Sequence, residues 1–216
     1  MGQRGIAIYR TTFAAVFLCA LVSGCPIPIP DQSGYADLDS LAVPGIAVVR
    51  LYSAPILGLE SVATHPWFVV KCADASAFDR WEVWPHDDME ACADERHGHV
   101  YRNLNTLEGE AGGGVAFVVA EEIGARAEAI VEFIQSQSAS YPGQLCYAYI
   151  PGPNSNTYAQ WVIDETHWDV ALPEQAIGRD APQSCDKLPL DVTPYELIAS
   201  PRTLPGHECP VASSAE

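Results

Sequence analysis

Residues 144–158 read QLCYAYIPGPNSNTY, and the fold turns on how that stretch divides. QLCYAYI, a run of one strand's length bounded by turn residues, reads as a strand at 144–150. Pro151-Gly152-Pro153 then forces a turn, because proline fixes φ and glycine relieves the corner. Asn154, Ser155 and Asn156 follow, and such side chains accept from the orphan N–H groups of a helix start. Beyond them Ser155, Tyr158, Ala159 and Val162 fall at i, i+3, i+4 and i+7. That spacing predicts a short helix over roughly 155–165 with Ser155 on its inward face. Two readings of Ser155 stand here. It caps a turn, or its oxygen is held where the helix N–H groups stabilise negative charge.

The flanking sequence supplies the sheet. IAVVRLYS (46–53), HPWFVVKC (65–72), RWEVW (80–84) and HVYRN (99–103) each read as strands. From 120 to 138 the period becomes helical, with Ala127, Ile130, Val131 and Ile134 on one face, and Tyr141-Pro142-Gly143 stops that helix. Strands on both sides of one amphipathic helix predict an α+β domain over 46–181. Its antiparallel sheet of four to six strands packs with that helix and the short one. The tail, 182–216, is proline-rich and predicted to run extended.

The N-terminus carries an address. Arg4 and Arg10 precede the apolar run TTFAAVFLCALV (11–22), and LVSGC closes it at Cys25. That is a secretory layout, too short for a membrane span of ~20 residues. LVSGC resembles the lipobox of bacterial lipoproteins. The resemblance implies a signal peptide at 1–24, cleavage before Cys25, and acylation of Cys25 as the membrane anchor. With Pro26 rather than an aspartate next, it implies the outer membrane, facing the periplasm. Residues 25–45, rich in Pro, Asp, Ser and Gly, then read as a lipidated tether. Cleavage removes two arginines and no acid, taking the net charge from −17 to −19. Such a surface repels phosphate backbones, which excludes nucleic acid as a partner. Peptidoglycan, lipid and other envelope proteins remain.

Five cysteines are left once Cys19 leaves and Cys25 is acylated: Cys72, Cys92, Cys146, Cys185 and Cys209. An oxidising compartment allows two bridges and one spare thiol. The shortest loops are closed by Cys72–Cys92 and Cys185–Cys209, leaving Cys146 on its strand. PHDDMEACADERHGH (85–99) is dense in potential ligands, but its spacing matches neither a zinc site nor an EF-hand. It reads as a solvated acidic loop, so no metal and no cofactor is expected. The run Gly112-Gly113-Gly114 lacks the Lys-Ser/Thr of a phosphate loop.

Three stretches together resemble an uncharacterised bacterial domain family, DUF 3750: HPWFVVK (65–71), IPGPNSNTY (150–158) and LPEQAIGRD (172–180). More distantly, the order of elements is similar to that of circularly permuted papain-like (NlpC-like) enzymes. There a histidine opens a strand, and a later Asn-Cys motif starts a helix. Here His65 opens HPWFVVK, and Asn154-Ser155-Asn156 stands in the motif's place with serine for cysteine. The likeness implies a hydrolase or acyltransferase-like site with Ser155 as nucleophile and His65 as base. Glu82, or in second place His99, would orient the imidazole, and the N–H groups of Ser155 and Asn156 would form an oxyanion hole. Asn154, Asn156 and Lys71 are the expected ligand contacts, Lys71 sharing a strand face with His65. Each residue also has a plain structural reading: His65 packed beside Trp67, Glu82 paired with Arg80, Lys71 at the surface, and Arg179–Asp180 pinning the tail. The alternative to an enzyme is a non-catalytic envelope binding module or a structural lipoprotein.

Overall fold

The structure, a computed structural model, describes residues 30–56, 58–59, 62–85, 93–109 and 114–187. The signal peptide, Cys25 and residues 188–216 lie outside the described residues.

Six strands form one sheet: β1 (Val48–Pro55), β2 (Thr64–Lys71), β3 (Asp79–Val83), β4 (Glu95–His97), β5 (Val100–Arg102) and β6 (Phe117–Ile123). Their order is β4-β5-β3-β2-β1-β6, and every pairing is antiparallel. A four-residue helix, α1 (Leu38–Leu41), precedes the sheet, while α2 (Ala125–Gln137) and α3 (Ser155–Thr166) pack on it. This is the α+β architecture expected, with the sheet at the upper end of the expected strand count.

β1 and β2 are buried along their whole length, because both faces of the sheet are covered. On one face Val49, Leu51, Phe68, Val70, Trp81 and Val83 meet Ile130, Val131 and Ile134 of α2, with Tyr158, Ala159 and Val162 of α3. On the other, Tyr52, Ala54, Trp67, Val69 and Val118 pack with Leu38 of α1. Each fully buried side chain of this size contributes roughly 1.5–3 kcal/mol.

Three local expectations change. Residues 120–123 belong to β6, not to the long helix. Phe117, Val118 and Val119 favour a strand, β1 offers a partner edge, and Gly124 at φ 86 breaks the chain before α2. Residues 144–150 form no strand, because their hydrogen bonds go elsewhere. Gln144 O accepts from His99 N, Cys146 N donates to Gly143 O, and Ala148 N donates to Pro153 O. Finally, residues 30–45 are docked rather than loose. The Gln32 amide bridges Val118 N and O on the outer edge of β6, and Arg50 donates to Ala36 O.

The disulfide differs as well. Cys146 bonds Cys185 across 39 residues, with Cα atoms 5.7 Å apart, and Cys72 carries a free thiol. This replaces the expected Cys72–Cys92 and Cys185–Cys209 closures, whose second members lie outside the described residues. Spatial approach of the Cα atoms decides pairing, and loop length does not.

Candidate functional site

The three motif segments meet at the N-terminus of α3. Asn154 is the cap: its Oδ1 accepts from Asn156 N at 2.9 Å and Thr157 N at 3.3 Å, and Thr157 Oγ1 accepts from Asn154 N at 3.1 Å. That reciprocal box satisfies two orphan donors of the first turn, Asn156 N and Thr157 N. Asn154 Nδ2 donates to Tyr149 O and Ile177 O, and Thr157 Oγ1 donates to Gly178 O at 2.6 Å. Asn156 Nδ2 bridges Thr64 O (3.1 Å) and Ile177 O (2.9 Å), while Thr64 N donates to Gln175 O. Gly178 is required: at φ 88 a Cβ would lie 2.5 Å from Asn154 Nδ2 and 2.6 Å from Pro151 O. The side chains of Asn154, Asn156 and Thr157 thus tie α3 to β2 and to the segment at 172–180.

This accounting alters the expected oxyanion hole. The Asn156 N–H is already given to Asn154, so of the two donors named only the Ser155 N–H is left without a partner among the described residues. Ser155 itself is buried on the inward face, as its spacing indicated.

His65 and Glu82 also meet. His65 Nε2 lies 3.1 Å from Glu82 Oε2, Arg80 donates to the same oxygen at 2.8 Å, and Asn105 Nδ2 donates to Glu82 Oε1 at 2.8 Å. Burial alone would raise the Glu82 carboxyl, but the Arg80 guanidinium and the His65 hydrogen bond outweigh it and hold the group well below its ordinary range. Burial pushes His65 down, against the opposing pull of Glu82. An ionised carboxylate only accepts, so the neutral imidazole carries its proton on Nε2, leaving Nδ1 as its acceptor.

The two halves are not joined. On β2, Phe68 and Val70 point to α2 and α3, whereas Trp67 and Val69 point to the opposite face. Side chains alternate, so His65 shares the face of Trp67, and its ring packs edge-on to Trp84 at 4.9 Å. Among the described residues no hydrogen bond links Ser155 to His65. The β2 residue facing α3 is Thr64. Its Oγ1, Ser53 Oγ on β1 and Asn156 Oδ1 are buried without hydrogen-bond partners.

Lys71, at the far end of β2, is fully buried and donates to Val43 O (3.0 Å), Ile46 O (2.5 Å) and Cys72 O (3.3 Å). It clamps the chain entering β1 and is not brought to Ser155. Arg179 reaches Asp180 at 3.6 Å and donates to Pro173 O, bracing the last motif segment. Of the acidic stretch at 85–99, residues 86–92 lie outside the described residues. Among the rest, Glu95 holds His97 at 2.7 Å, Asp94 accepts from Asn103, and His99 Nδ1 meets Trp84 O. Among the described residues no three His, Cys, Asp or Glu side chains are placed to hold a metal ion.

Sequence reading paired Arg80 with Glu82, as the structure has it, but missed Asn105, Thr64 and Ser53. Thr64 was within reach of the strand period: 64, 66, 68 and 70 form one set and 65, 67, 69 and 71 the other. Asn105 sits on an irregular loop that no period describes.

An antiparallel six-stranded sheet with a capped helix seated on its central strands defines the class of domain. The chain belongs to the family described as "Protein of unknown function (DUF3750)", whose model matches residues 46–181. No curated protein and no solved structure shows a significant match.

Proposed function

We propose that this chain is a lipid-anchored envelope protein whose domain works by binding rather than by catalysis, on a permuted papain-like scaffold that has lost its catalytic pair. The observation that carries this is the parity of β2. Thr64 faces the N-terminus of α3, while His65 lies on the opposite face, held by Glu82. A serine hydroxyl needs a hydrogen-bonded base to act as a nucleophile. Among the described residues no histidine, lysine or arginine makes a hydrogen bond to Ser155, and the β2 residue tied to the start of α3 is Thr64, through Asn156. The order of elements and the helix opening at Ser155 support the scaffold. Among the described residues no helix is long and apolar enough to cross a membrane, so the anchor in this reading is the acylated Cys25.

A fluorophosphonate probe applied to the full chain tests the reading. The expected result is no covalent label on Ser155. Labelling that disappears in both Ser155→Ala and His65→Ala would overturn it and restore a hydrolase.

A further inference from the structure

We propose that one end of the sheet lies against the lipid surface, with Val115 and Leu59 as its contact residues. This rests on the anchor at Cys25 proposed above.

The argument is one of reach. Gln32 is fixed to the open edge of β6: its Nε2 donates to Val118 O at 3.3 Å and its Oε1 accepts from Val118 N at 2.6 Å. Gln32 follows Cys25 by seven positions, with only six residues between them. Fully extended, seven residues span at most ~25 Å. A domain of about 150 residues has a radius of gyration near 15 Å, and so a width of roughly 40 Å. The linker is shorter than the body it holds. The Gln32–Val118 side therefore cannot turn away from the bilayer.

What stands near that attachment is apolar. Val118 pairs with Tyr52, so the start of β6 lies beside the end of β1. Gly114 lies so close to Pro55 that a Cβ there would be 2.1 Å from Pro55 O, which sets Val115 over the same end. Val115 is 63% exposed, and Leu59, in the loop from β1 to β2, is 36% exposed. The net charge of −19 after cleavage opposes any attraction to anionic headgroups. The short linker supplies the proximity that charge does not, and the two side chains meet the interface by burying apolar area. The N-terminus of α3 joins the sheet at this end too, through Thr64, so the domain's polar joint sits on the lipid-proximal side.

The test uses full-length protein purified from membranes and placed in vesicles of phosphatidylethanolamine and phosphatidylglycerol with shallow spin-labelled lipid. In a background of Cys72→Ser, Cys92→Ser and Cys209→Ser, an environment-sensitive fluorophore is attached at Val115→Cys and, separately, at Glu165→Cys on the exposed far end of α3. Quenching at 115 with none at 165 is the expected result. Equal quenching at both sites, or none at 115, with acylated Cys25 verified by mass, overturns the contact and leaves the anchor standing. An unmodified Cys25 overturns the anchor, and the contact with it.

Discussion

Glu82 accepts from His65 at 3.1 Å and from Arg80 at 2.8 Å through a single carboxylate oxygen, with all three residues sealed from solvent. Such a group is held in place by its partners, because an unpaired charge at that depth is severely penalised. The Arg80 guanidinium stacks over Trp67 at 4.2 Å and donates to Thr106 O and Gly109 O. The network therefore fastens the loop at 103–109 over the sheet.

Removing the carboxylate should then destabilise the domain. Glu82→Ala leaves Arg80 buried without its counter-charge and His65 without its acceptor, at a cost of about 3–5 kcal/mol. Urea unfolding followed by tryptophan fluorescence measures it. A loss below about 1 kcal/mol, the range of a surface pair, would show that the network does not hold this face together.

The same pair sets a pH dependence. Burial lowers His65 in the folded state below its ordinary 6.5, so the unfolded chain binds the extra proton first as pH falls. Stability is therefore full above 6.5 and declines below it. Glu82, ordinarily at 4.5, is also lowered in the folded state, so its contribution is present above 4.5 and is lost as pH falls further. Acidification also relieves repulsion within so acidic a chain, so the comparison must be with a variant. Melting temperatures from pH 7.5 to 5 should fall more steeply for the native protein than for His65→Gln, which keeps a donor but does not titrate. Parallel curves would remove His65 as the cause.

The cap of α3 is a separate support. Asn154→Ala removes an acceptor for two helix N–H groups and a donor to Tyr149 O and Ile177 O. Loss of a cap costs about 0.5–2 kcal/mol, and the lost amide hydrogen bonds add to that. Ser155→Ala removes a side chain with no such duties and should change stability by less than about 0.5 kcal/mol. Thermal unfolding of the two variants side by side distinguishes them. Equal losses would mean that Ser155, too, is a structural bond.

How far the sequence reaches is clear from these residues. The faces of α2 and α3 were legible because a helix repeats every 3.6 residues, and Ala127, Ile130, Val131 and Ile134 are buried as their spacing indicated. The strands at 48–55 and 64–71 were legible from their apolar runs. Residues 144–150 were not, because an apolar run records a local preference, while pairing depends on a free edge in space. The meeting of His65 with Glu82 could be proposed, since neighbouring strands bring such residues together. The separation of His65 from Ser155 required knowing which face α3 covers, and that follows from Phe68 and Tyr158 packing at 6.0 Å. The Cys146–Cys185 bond joins two irregular segments, where no period exists to read.

That bond yields the last prediction. It closes a loop of about 40 residues, for which the chain-entropy account gives roughly 4 kcal/mol as an upper figure. The loop contains all of α3 and the segment at 172–180, the parts that form the joint with Thr64. Cys185→Ser should therefore lower the unfolding midpoint. It should also increase hydrogen exchange at residues 144–153 and 172–187 more than in β1 or β2, whose ladder it does not touch. Non-reducing peptide mapping of the native protein should recover Cys146 joined to Cys185. Cys72 should take up an alkylating reagent without denaturant, and faster as pH rises, because burial and the nearby acids keep its thiol protonated beyond its ordinary range. A map joining Cys72 to any other cysteine, or exchange rising uniformly across the sheet, would contradict the pairing and its local role.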